Sequence, residues 1–194
     1  MSQALQHDDA PVTISAFDEF LDGQRDHHPW ELVDGRIVAM TNPSERHEQI
    51  VANLGAPLKL LTDERHCRVY FGGMRIQRSD NVHAIYKPRP DLVVRRGGES
   101  TRNYVTDPLV VVEVLSPSTI DIDRGEKLRF YKSLPTLVHL ILAYQDQMRI
   151  EHYAKRDTGW QFEALTAATD QLVLDAVGFE VTLETIYFGV TAGS

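Results

Sequence analysis

Two carboxylates stand where carboxylates are costly. Glu113 interrupts the apolar run Leu109-Val110-Val111-Val112-Glu113-Val114-Leu115, and Asp91 sits between Lys87-Pro88-Arg89-Pro90 and the apolar Leu92-Val93-Val94. An ionised, unpaired carboxylate buried in such a run costs on the order of several kcal/mol, so each needs a partner. A hard divalent cation with oxygen ligands is one such partner, and an Asp and a Glu on neighbouring strands are its minimal cradle. A metal held there lowers the pKa of its bound water and polarises a phosphoryl oxygen, which is the chemistry of metal-assisted hydrolysis. A further group must position the water and neutralise the developing charge. Lys127, in Asp123-Arg124-Gly125-Glu126-Lys127-Leu128 after the Glu113 strand, is the candidate. It shares the i, i+3, i+7 face of a helix with Arg124 and Tyr131; spacing alone favours a solvated stripe.

The elements that must position these residues follow from periodicity. Strand alternation puts Leu109, Val111, Glu113 and Leu115 on one face, and Asp91 on a face with Val93 and Arg95. If the two strands are neighbours, both carboxylates converge near one edge of the sheet. Residues 1–12 read as a loose arm and 13–190 as one domain. Ser15 is positioned to cap a helix through about Gly23. Asp34-Gly35 between Trp30-Glu31-Leu32-Val33 and Arg36-Ile37-Val38-Ala39-Met40 predicts a hairpin. A helix follows over 44–63, with Gly55 and Pro57 inside it. Strands are expected over 68–77, 91–96, 109–115 and 138–144, and a helix from Asp121 or Asp123 to about Leu134, where Pro135 stops it. A hairpin over 148–155 and 160–165 and a short amphipathic segment at 183–188 complete the chain. The order predicts an α/β fold with a mixed central sheet flanked by helices and with N-terminal and C-terminal β-hairpin additions.

Bulk properties narrow the function. At 42% hydrophobic residues the chain can build a globular core. Its apolar runs are strand-sized, short of the roughly 18 residues of a membrane span. The polar N-terminus lacks a secretory pattern, and the single Cys67 forms no internal disulfide, so a cytoplasmic protein is expected. A net charge of −8 argues against a general nucleic-acid coat. Yet between Arg65 and Arg102 nine cations face three anions (Asp80, Asp91 and Glu99), a local +6 that leaves −14 elsewhere. A basic segment around Asp91 suits a polyanionic substrate; scattered arginines on strand faces are the plainer reading of the same residues.

Pro90-Asp91 followed by Glu113-Val114-Leu115 resembles the PD-(D/E)XK, restriction-endonuclease-like superfamily. A wider ordered set of segments resembles the Uma-two family within it. These are Trp30-Glu31-Leu32-Val33-Asp34-Gly35, the helix bearing His47, Arg89-Pro90-Asp91-Leu92-Val93-Val94, Val112-Glu113-Val114-Leu115-Ser116-Pro117-Ser118 and Asp123-Arg124-Gly125-Glu126-Lys127. The resemblance spans roughly Phe17 to Phe188. It implies a Mg²⁺- or Mn²⁺-dependent endonuclease acting on DNA, with Asp91 and Glu113 as metal ligands, Glu31 as an additional acidic ligand and Lys127 as the catalytic lysine. The superfamily's lysine two residues after Glu113 is replaced by Leu115, and the resemblance implies that Lys127 from the next helix takes its place.

His47 is a candidate to orient Glu31 or contact phosphate, Asp34 is read as the hairpin residue, and Asp121 and Asp123 as helix N-terminal residues. A homodimer is compatible with cutting two strands. The alternatives are a catalytically inactive nucleic-acid or protein-binding module on the same fold and, ranked last, a hydrolase using Glu113 and Glu31 as an acid–base pair.

Overall fold

The computed structural model describes residues 10–25, 28–63, 66–79, 84–97, 101–116 and 120–190. Most of the expected arm, and Arg65, Asp80 and Glu99 of the basic segment, lie outside them.

The centre is a six-stranded mixed sheet of order β10-β9-β8-β7-β5-β3. These are β3 (Cys67–Phe71), β5 (Leu92–Arg96), β7 (Pro108–Leu115), β8 (His139–Tyr144), β9 (Ile150–Arg156) and β10 (Gly159–Leu165). β7 and β8 are parallel and the other neighbouring pairs antiparallel. The parallel pair forces a crossover, because no tight turn joins parallel strands. That crossover is α3 (Ile120–Ile122), a π-helical turn (Asp123–Lys127) and α4 (Leu128–Lys132). Around the sheet lie α1 (Ile14–Gly23), the hairpin β1 (Trp30–Val33) and β2 (Arg36–Ala39), and α2 (Glu45–Asp63). A two-stranded pair is formed by β4 (Arg75–Ile76) and β6 (Tyr104–Val105). The hairpin β11 (Gln171–Leu174) and β12 (Phe179–Thr182) leads into α5 (Leu183–Ile186). Among the described residues no helix is long and apolar enough to cross a membrane.

Each sheet face has its own apolar layer. Val110, Val112 and Val114 of β7 pack with Ile50, Leu54 and Leu58 of α2 and with Leu172, Phe179 and Ile186. Val111 and Leu115 pack on the other face with Phe130, Tyr131 and Leu134 of the crossover. Glu113 falls in the second set by alternation, so it points under the crossover helix. The β1–β2 hairpin and α1 form a third cluster through Phe17, Leu32 and Ile37. An isolated bridge from Leu32 to Lys87 ties it to the segment leading into β5.

Several sequence expectations shift. The α1 cap is Thr13, whose Oγ1 accepts from Ala16 N, rather than Ser15. The strand expected over 68–77 breaks at Gly72 and Gly73 into β3 and β4, which join different sheets. The 150–165 hairpin is an integral edge of the central sheet, and the β11–β12 hairpin is additional. Pro57 stays inside α2. Gly55 weakens that helix by about 1 kcal/mol relative to Ala, but a Cβ there would lie 2.2 Å from the Phe71 ring. Of the expected loose arm, Val12 is tied down, donating to Gly35 O at 2.9 Å.

The Asp-Gly hairpin is borne out in detail. Asp34 and Gly35 have φ of 50° and 70°, the left-handed pair that a two-residue hairpin of this kind requires. A Cβ on Gly35 would also stand 2.4 Å from Pro11 Cβ and 2.9 Å from Pro11 Cα. Gly35→Ala is therefore expected to cost about 2 kcal/mol or more in urea unfolding; a loss below about 0.5 kcal/mol would contradict this account of the turn.

Candidate active site

The register of β5 on β7 aligns Leu92 with Val112. One step further, Asp91 stands opposite Glu113, immediately before β5 begins. Asp91 is held from two sides. Val114 N donates to its Oδ2 at 2.6 Å, and His47 Nε2 lies 3.1 Å from its Oδ1. His47 comes from the first turns of α2, where Ser44 Oγ accepts from His47 N at 3.2 Å. Burial pulls the His47 pKa down, but the carboxylates of Asp91 and Glu48 outweigh it and leave the pKa raised. His47 thus serves Asp91 and not Glu31.

The other half of the site is a buried charge cage. Lys127 Nζ lies 2.9 Å from Glu31 Oε2, 3.0 Å from Asp123 Oδ1 and 3.3 Å from Glu113 Oε1. Glu31, Glu113 and Lys127 are each 3% exposed and Asp123 is 2% exposed. Tyr131 OH donates to Glu113 Oε1 at 2.6 Å, and Arg89 N donates to Glu31 Oε2 at 3.2 Å. Burial lifts the Glu31 carboxyl above its ordinary range, against the pull of Lys127, and lifts Glu113 further. For Lys127, burial alone would lower the pKa, but Asp123, Glu113 and Glu31 together hold it well above the ordinary lysine value.

The π-helical turn makes this possible. Leu128 N reaches back five residues to Asp123 O, and such turns recur at functional sites. Asp123 and Lys127 both face inward, while Arg124 turns to Glu151 on β9 at 3.2 Å. The expected common face of Arg124, Lys127 and Tyr131 is thus divided: Lys127 and Tyr131 meet Glu113, and Arg124 does not. Asp123, expected as a helix-end residue, is part of the buried cage. Its signal was present as Asp123, Lys127 and Tyr131 at successive i+4 positions, one stripe of a helix.

A cavity of about 330 Å³ joins the two halves; Glu31, His47, Arg89, Asp91, Glu113, Asp123 and Lys127 all line it. All five residues expected from the sequence therefore line it together, joined by Asp123, which was expected only as a helix-end residue, and by Arg89. The basic segment is largely committed to local partners. Arg95 pairs with Asp107 at 2.9 Å, Lys87 with Asp18 at 2.6 Å, and Arg75 donates to Trp30 O at 3.0 Å. Asp34 accepts from Tyr86 OH at 2.9 Å, in keeping with a turn residue.

The donor set fits a hard divalent cation in kind, carboxyl oxygens being its usual ligands. Three buried carboxyl groups face one ammonium, and Asp123 Oδ1 is buried with no hydrogen bond, its contact with Lys127 being ionic only. Removing the lysine takes away the cation they share. Lys127→Met is expected to lower stability by about 3–5 kcal/mol near neutral pH, the usual consequence of stranding buried charge, and adding Asp123→Asn should restore part of it. Urea unfolding of both variants checks this, and a loss below about 1 kcal/mol in the single variant would contradict the cage.

Comparison with known proteins follows the same lines. The family model described as "Uma2: Putative restriction endonuclease" matches residues 16–184. An uncharacterized protein of Synechocystis sp. is 33% identical over 187 residues, covering 93% of this chain and 95% of that one. A second from the same organism is 29% identical over 129 residues, or 64% and 71% of the two chains. A crystal structure of a "putative nuclease belonging to DUF820" from Anabaena variabilis matches with a TM-score of 0.72, covering 93% of this chain and 100% of the other. Its 16% identity makes that a likeness of fold. With the family model spanning nearly all of the described structure, this chain belongs to the Uma2 family and carries the restriction-endonuclease-like fold.

Proposed function

We propose that this protein is a divalent-metal-dependent endonuclease hydrolysing phosphodiester bonds in DNA, with Mg²⁺ or Mn²⁺ held by Asp91, Glu113 and Glu31. The observation that carries the reading is the convergence of those carboxylates with Lys127 on one cavity. A bound divalent cation supplies a water of lowered pKa and a Lewis acid for the phosphoryl oxygen.

The chain's own groups have distinct parts in this reading. The Val114 N–H and His47 fix the Asp91 carboxylate, so its oxygens are oriented before any ligand arrives. Tyr131 fixes Glu113, and the Arg89 N–H fixes Glu31. Lys127 is the cation that neutralises charge developing on the phosphate and orients the attacking water. The Arg89 side chain, on the cavity wall, adds positive charge where a phosphate would enter. Two copies of the chain, one centre on each strand, would cut both strands of a duplex in one encounter.

A non-catalytic nucleic-acid-binding module on the same fold is the second reading; the engagement of Lys127 by three carboxylates is the observation that favours it. The two separate on one assay. Plasmid DNA incubated with Mg²⁺ or Mn²⁺ should be nicked or linearised by the wild type and about a hundredfold more slowly, or not at all, by Asp91→Ala. Equal cleavage by both proteins, or metal-independent binding without cleavage, would remove the nuclease reading.

A further inference from the structure

The ammonium of Lys127 occupies the point on which three carboxylates converge from three different elements: Glu31 on β1, Glu113 on β7 and Asp123 on the π-helical turn. Among the described residues, no three His, Cys, Asp or Glu side chains are arranged to hold a metal ion as they stand. The cage already holds a cation, but one with a single charge. Asp123 lines the cavity, and its buried Oδ1 has the Lys127 ammonium as an ionic contact at 3.0 Å but no hydrogen bond. An ammonium with three donors and a hard divalent ion seek the same carboxylate oxygens.

We propose that Asp123 is a further carboxylate of the cation site, and that the Lys127 ammonium holds the cation's place among Glu31, Glu113 and Asp123 until the cation enters. This rests on the reading of the site as a cation-dependent centre and assigns what that reading leaves open: the residue that supplies the extra negative charge, and the state of the lysine before loading. Two cations cannot share so small a cage without strong repulsion. Entry of the divalent ion therefore expels the ammonium along the cavity wall it already lines. Loading of the metal and release of the lysine toward a substrate phosphate become one event, so the unloaded protein keeps its catalytic lysine sequestered.

The test is Mn²⁺ binding to the full chain, by titration calorimetry at one fixed pH, for wild type, Lys127→Met and Asp123→Asn. Lys127→Met should bind Mn²⁺ at least tenfold more tightly than wild type, because no ammonium has to leave. Asp123→Asn should bind at least tenfold more weakly. Equal or weaker binding by Lys127→Met, or unchanged binding by Asp123→Asn, overturns the proposal. A second measurement needs no variant. In ¹⁵N-lysine spectra of the wild type, the protected ammonium signal of the buried Lys127 should shift or vanish on saturation with Mg²⁺; an unmoved signal overturns it. Wild-type protein that binds neither ion would defeat the cation reading of the site altogether. Binding that needs Asp91 and Glu113 but ignores Lys127 and Asp123 would defeat only this inference.

Discussion

One buried ammonium sets the terms for the rest of this molecule. Three carboxylates cannot be taken out of water together without a cation, because each loses several kcal/mol of hydration and each repels the other two. Lys127 meets all three within 3.3 Å, and the surrounding fold is arranged to bring them to it. The parallel β7–β8 pair requires a crossover on the face where Glu113 points. The π-helical turn in that crossover aims Asp123 and Lys127 inward together. The β1–β2 hairpin, closed by the left-handed Asp34-Gly35 turn and bridged from Leu32 to Lys87, delivers Glu31.

The cavity therefore has two unlike walls. On one, Asp91 is oriented by a backbone N–H and by His47, which is itself held by α2. On the other, Glu31, Glu113 and Asp123 share a single ammonium. A polyanionic substrate meets carboxyl groups on both walls, and a divalent cation bound there would give its phosphate oxygens something to bind. That asymmetry links the family's endonuclease description to the physical state of these side chains.

Much of this was legible in the sequence, and for definite reasons. The carboxylate inside Val110-Val111-Val112-Glu113-Val114 announced itself because strand alternation leaves no neutral explanation for it. The convergence of Asp91 with it was legible only on the condition that the two strands are neighbours; the antiparallel register that places them opposite each other is a property of the fold. The Asp-Gly hairpin was legible because few residues tolerate positive φ. The β11–β12 hairpin was missed because Gln171–Leu174 and Phe179–Thr182 are four-residue strands with too few alternations to stand out. Within the single strand expected over 68–77, Gly72-Gly73 reads as a bulge or a close backbone approach; in the fold the pair goes further and splits the segment between two sheets. Asp123 was read as a helix-end residue because an aspartate near a helix start is ordinarily a cap, and that reading passed over its i+4 spacing to Lys127 and Tyr131. His47 was placed near the site, but its partner, Asp91 rather than Glu31, depends on how α2 packs across β5, which periodicity does not encode.

The central claim is that these carboxylates form a cation site. The most direct test is diffraction from crystals soaked in millimolar Mn²⁺, with data collected at the manganese edge. The account predicts one anomalous peak in the cavity bounded by Asp91, Glu31 and Glu113, with Lys127 Nζ withdrawn from its position among the carboxylates. A cavity without anomalous density at saturating Mn²⁺, with the Lys127 ammonium still seated between Glu31, Asp123 and Glu113, would contradict it.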